Sequence, residues 1–200
     1  MMARKWLIGI ISVLIVILGG IYLTGYGFKP THGNPQKGNI VRTLEMADGM
    51  AMLLEDPETH SFSVARVNQK LGFLYRFDGG STNWLKKEEP FQAAGIASGT
   101  VKKDRFILGI KIAEDAEIQH IAIGNSELGI PLYEPYSLTW HEVKEHPNQY
   151  ETQKVVDGYA FFVFDDFTED KWTIRGFDEQ GKLVADKLSG ADARYIDWNE

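Results

Sequence analysis

Between Trp6 and Tyr26 the chain reads WLIGIISVLIVILGGIYLTGY, 21 positions without a charged side chain. As a helix rising about 1.5 Å per residue this run spans roughly 31 Å, close to the ~30 Å of a bilayer's hydrocarbon core. Arg4 and Lys5 precede it and, by the positive-inside tendency, hold the short N-terminal end in the cytoplasm. Trp6, Tyr22 and Tyr26 stand near the two ends, where amphipathic rings favour the headgroup region. The run predicts residues 1–5 as a cytoplasmic tail, 6–27 as a single-pass transmembrane anchor and everything beyond as extracytoplasmic. The rival is a cleavable signal peptide: Leu7 to Leu18 has the length of an apolar core of about 7–15 residues, and Gly25-Tyr26-Gly27 offers small residues for cleavage. That alternative gives a secreted β domain. Both export the rest of the chain. A five-residue tail is too short to fold, so a cytoplasmic kinase, DNA-binding or sigma-factor-binding domain is excluded.

Charge narrows the partners. The chain has 21 basic and 28 acidic residues; residues 1–30 hold three basic ones (Arg4, Lys5, Lys29) and no acidic one. The remainder therefore has 18 against 28, a formal charge of −10. Such a surface repels phosphate backbones, and no nucleic-acid partner is expected. The absence of cysteine excludes a thioether lipid anchor and disulfide stapling, so the exported part must hold through its own core. Residues 28–41, rich in glycine and proline (FKPTHGNPQKGN), predict a stalk, and 42–200 one domain of ordinary size.

In that domain the apolar period is mostly two. MAMLLED (50–56) and SFSVARV (61–67) flank a proline-set turn, and FLYRFD (73–78) stops at Asp78-Gly79-Gly80-Ser81. QAAGIASGTV (92–101) and RFILGIKI (105–112) form a hairpin candidate, followed by EIQHIAI (117–123). GYAFFVF (158–164) is a dense aromatic run. WTIRGF (172–177) and KLVAD (182–186) are joined by Asp178-Glu179-Gln180-Gly181, which suits a type I turn followed by a left-handed glycine. Residues 40–49 fit either a short helix or an entry strand. Nine or ten short strands predict a mainly β fold, an antiparallel β-sandwich or a curved sheet.

The stretch WHEVKEHP (140–147) is the most suggestive chemically. In H-E-x-x-H, histidines at i and i+4 share a helical face and the glutamate acts as base. Here Glu145 occupies the second histidine's place and His146 arrives one residue late, while the inverted H-x-x-E-H form fails at Glu142. His141 with Glu145, or Glu142 with His146, is left as a two-ligand metal candidate for a metal-dependent extracytoplasmic hydrolase. Pro147 resists helix just before it, so the expected structure is a polar turn after a strand YSLTW. Asp165 to Asp170 (DDFTED) lacks the calcium-loop spacing and reads as a solvated loop, with calcium as the alternative. Tyr133, Tyr136 and Trp140 are the candidates for a ligand or partner patch, against a core role. Ser81 is not in a nucleophile elbow, and His32, His60 and His120 are scattered. No catalytic residue and no cofactor are expected.

The N-terminal anchor, the lack of cysteine and the hairpin WTIRGFDEQGKLVAD resemble those of small single-span envelope proteins of Gram-positive bacteria. The resemblance implies location and fold style and carries over no catalytic residue. The expected function is a membrane-anchored, non-catalytic interaction or accessory module. Its partner would be another envelope protein, a wall polymer or a peptide.

Overall fold

A computed structural model describes residues 2–100, 103–125, 136–165, 172–188 and 191–198. Helix α1 (Met2–Leu23) covers the apolar run. Its described side chains are Trp6 and those from Gly9 to Leu23, and Val13, Leu14, Ile15, Val16 and Leu18 are each half or more exposed. Among the described residues no helix is long and apolar enough to cross a membrane. The C-terminus of α1 closes as a Schellman motif: Gly25 takes a left-handed φ of 73°, its N–H donates to Tyr22, and the Tyr26 N–H donates to Ile21.

Three antiparallel sheets follow. The first is a meander of β1 (Asn39–Met46), β2 (Gly49–Asp56), β3 (Ser61–Lys70) and β4 (Leu74–Trp84). The second joins β5 (Phe91–Thr100) and β6 (Lys103–Ile112) to β9 (Tyr159–Asp165). The third comprises β7 (His120–Asn125), β8 (Tyr150–Lys154), β10 (Trp172–Phe177), β11 (Leu183–Lys187) and β12 (Arg194–Tyr195), in the order β12-β11-β10-β7-β8. The only described helix after α1 is α2 (Trp140–Glu145).

The alternation of side chains shows how the sheets stack. On the second sheet Ala94, Ile107, Tyr159 and Phe161 pack against Ala51, Leu53, Phe62 and Val64 of the first. On its other face Leu108, Ile110, Phe162 and Phe164 pack against Ile121, Ile123 and Ile174 of the third. The second sheet is thus a middle layer, buried on both faces. This accounts for why RFILGIKI and YAFFVF are near-continuous apolar runs rather than half-polar ones. Gly109 on β6 lets the layers approach, since a Cβ there would lie 2.7 Å from Leu53 Cδ1 and 2.7 Å from Val64 Cγ1.

Charged clips join the first two sheets. Asp48, in the β1–β2 turn, accepts from buried Arg66 of β3 and from Arg105 of β6. Burial works against the Asp48 carboxylate, but the two guanidinium groups outweigh it and hold its pKa below the ordinary value. Lys111 of β6 donates to Glu55 of β2 at 2.6 Å.

Of the two readings of residues 40–49, the entry strand holds over 40–46. Two other expectations need correction. Asp78-Gly79-Gly80-Ser81 does not stop a strand but lies inside β4, past a bulge where Val67 pairs with Phe77 and Arg66 with Gly79. Gly79 takes φ 155°, which favours glycine; a Cβ on it would also meet the Ile96 Cδ1, and one on Gly80 the tip of the Gln36 side chain. Of residues 28–41, expected as a stalk, 39–41 belong to β1, and Gln36 and Gly38 lie against Gly80 and Glu55 of the first sheet. Gly27 exchanges two 2.8 Å hydrogen bonds with Tyr75, and Phe28 stacks on Phe73.

Candidate functional site

Residues 140–145 form a short helix in place of a plain polar turn, within the one or two helical turns that the sequence allows around 142–150, and 136–138 are not strand. Thr139 explains the difference. Its hydroxyl accepts from the Glu142 N–H while the Glu142 carboxylate accepts from the Thr139 N–H at 2.6 Å, a reciprocal capping box. The helix stops at His146, the residue before Pro147, as proline sterics require.

This geometry disposes the four metal candidates. Glu142 is engaged by the cap, and the backbone N–H of Thr139 holds its carboxyl below the usual range. His146 Nδ1 lies 2.9 Å from the Glu142 carbonyl. Only His141 and Glu145 meet by side chain, at 3.2 Å, with His141 77% exposed. Among the described residues no three His, Cys, Asp or Glu side chains converge as a metal site.

Beside α2 the chain does form a concavity. Leu138, Trp140, Leu183 and Trp198 make an apolar floor, and His141, Lys144, Glu179 and Lys182 line the groove, of about 490 Å³. The β10–β11 turn builds one wall: Gly181 takes φ 79° and its N–H donates to Asp178, as the sequence predicts. Gly181 also accepts from the Trp140 N–H. Trp198 is fixed by an Nε1–H bond to the Leu183 carbonyl, with the Lys182 ammonium over its ring.

Of the three patch candidates, Tyr133 lies outside the described residues. Tyr136 is half-buried and Trp140 packs on Phe177 and His120, so both belong partly to the layer under the groove. The acidic run 165–170 lies outside the described residues apart from Asp165, which ends β9.

Sequence reasoning missed the charges beneath. Arg175 and Asp186 are fully buried and face each other across β10 and β11. The Arg175 Nε–H donates to the Tyr136 hydroxyl at 2.9 Å, and the guanidinium lies between the Tyr136 and Tyr150 rings. Asp186 is held by Arg194 at 2.8 Å. Burial pushes the Tyr136 phenol above its ordinary value, so it stays protonated across the physiological range. The arrangement offers a rigid aromatic groove with mixed charge at its edge, suited to holding a ligand. The advance signals for the groove were the Asp178 to Gly181 turn and the T-x-x-E of the cap, Thr139 to Glu142. No protein-family profile, curated protein or solved structure matches this chain, so the functional reading rests on these residues alone.

Proposed function

We propose that the chain is a membrane-anchored, non-catalytic interaction or accessory module of the cell envelope, its N-terminus inside and its β-sandwich outside. The observation that carries this reading is α1. Its outward apolar side chains, Val13 to Leu18 among them, would be costly to leave in water. A bilayer removes that cost; the described residues of α1 do not by themselves amount to a span, and the length comes from the sequence, where the uncharged run extends from Trp6 to Tyr26. In this reading the groove between α2 and the β10–β11 turn is the contact surface, and the partner is another envelope protein, a wall polymer or a peptide. Tethering near the membrane raises the effective concentration of such a partner, so a weak contact suffices.

In-cell crosslinking followed by mass spectrometry tests the reading. A reproducible envelope partner is expected, lost when the groove residues Lys144 and Lys182 are replaced by glutamate in a still-folded protein. Turnover of a peptide or glycan by the purified chain, with no partner captured, overturns it.

A further inference from the structure

The tip of the β3–β4 hairpin is built against the usual rules. Leu71 and Gly72 both have positive φ, 53° and 77°, as do the central residues of a type I′ turn, where Asn-Gly is the favoured pair. A leucine in the left-handed region costs roughly 1–2 kcal/mol. Packing does not offset this, because Leu71 is 79% exposed. Next to it Phe73 is exposed and stacks face to face on exposed Phe28, with centroids 6.3 Å apart.

This apolar tip is continuous with the end of α1. Tyr26, directly after the Schellman motif, has its ring beneath Lys70 at 5.3 Å and Arg76 at 5.2 Å. Gly27 pairs with Tyr75. The hairpin tip is therefore fixed beside the point where the helix ends, with no free linker between them. The two segments that form the patch, 26–32 and 70–76, contain Lys29, Lys70 and Arg76 and no acidic residue. Residues 31–200, by contrast, carry a formal charge of −10. Exposed leucine and phenylalanine rimmed by lysine and arginine suit one surface: the interfacial zone of a bilayer with anionic headgroups.

We infer that the tip formed by Leu71, Phe73 and Phe28 inserts into the outer-leaflet interface, with Lys29, Lys70 and Arg76 at the headgroups, and so clamps the β-sandwich against the membrane. The inference rests on the anchor reading of α1. Two contacts, helix and tip, fix the height and orientation of the sandwich, where a single flexible tether would leave both free.

The absence of cysteine makes the test direct. The full chain is reconstituted in vesicles of phosphatidylglycerol and phosphatidylcholine, carrying one environment-sensitive fluorophore at Leu71→Cys, Val16→Cys or Glu58→Cys. Glu58 lies in the turn at the opposite end of β3 and serves as the water-exposed reference. The clamp predicts blue-shifted emission at position 71, quenched more strongly by nitroxides near the headgroups than by deep ones. It also predicts deep quenching at position 16 and none at 58. Lys70→Glu with Arg76→Glu should weaken the quenching at 71 in anionic vesicles without changing that at 16. A water-like label at 71 beside a deeply quenched one at 16 overturns the clamp and leaves the anchor standing. An unquenched label at 16 overturns the anchor and the clamp together. A blue shift at 71 that grows with protein density and ignores lipid nitroxides assigns the patch to a second copy of the chain, and overturns the lipid contact.

Discussion

Replacing Gly109 tests whether the second sheet is a middle layer. Gly109 is not in the left-handed region, so an alanine there meets no backbone penalty. Any cost must come from across the interface, where a new Cβ would lie 2.7 Å from the end methyls of Leu53 and Val64. Both are buried in the core between the first two sheets, so neither can swing into solvent. Overpacking of this kind costs about 1–3 kcal/mol, reduced by up to ~1 kcal/mol from the stiffer unfolded chain, for a net of about 1–2 kcal/mol in Gly109→Ala. Val64→Ala alone removes two methyls from a fully buried site and should cost about 1–3 kcal/mol. In the double variant the new methyl occupies part of the space that Val64 leaves. The combined loss should therefore fall short of the sum by about 1 kcal/mol or more. Urea unfolding of the full chain in non-ionic detergent, followed by the fluorescence of its five tryptophans, measures all four corners of the cycle. Additive losses, within about 0.5 kcal/mol, would refute the proposed apposition of β6 with β2 and β3.

Three further outcomes are expected. The pKa of Asp48 is depressed in the folded state, so its contribution is present above the unfolded value near ~3.9 and is lost as pH falls through the folded one; the stability gap between the native chain and Asp48→Asn should be open at neutral pH and close in acid, as urea midpoints at the two pH values would show. Leu71→Asn should relieve the left-handed strain and stabilise the chain in detergent by about 1 kcal/mol while weakening bilayer contact, and a loss of stability would contradict the strain argument. Elemental analysis of the purified protein should find no stoichiometric zinc, because Glu142 is committed to its cap; one zinc per chain, lost on His141→Ala with His146→Ala, would reinstate the hydrolase reading.

How much of this was legible in the sequence depended on whether the cause was local. The doubly buried strands β6 and β9 showed as unbroken apolar runs, and the β10–β11 hairpin as Asp and Gly at fixed turn positions, because both patterns sit within a few residues. The α2 cap was equally local, spelled by Thr139 and Glu142, but Pro147 directly after the segment argues against a helix, and six residues are too few to show a helical period. The Gly79-Gly80 pair read as a turn since glycine usually punctuates. Its actual reason lies in Ile96 and Gln36, which approach from distant parts of the chain. The segment 28–38 had a linker's composition, and only its pairing with residues 73–75 shows that it is packed. That Arg175 and Asp186 are both buried could not be recognised, because it depends on the β10–β11 register and on the distant partners Tyr136 and Arg194.

The central claim is that α1 holds an outward-facing β-sandwich at the membrane. Protease shaving of intact cells that express the full chain, followed by alkaline carbonate extraction of their membranes, tests it most directly. External protease is expected to remove epitopes placed in the β domain, the chain to resist carbonate extraction, and the run from Trp6 to Tyr26 to be retained in the mature protein. A chain released by carbonate, or a β domain protected in intact cells while control surface proteins are cut, would contradict it.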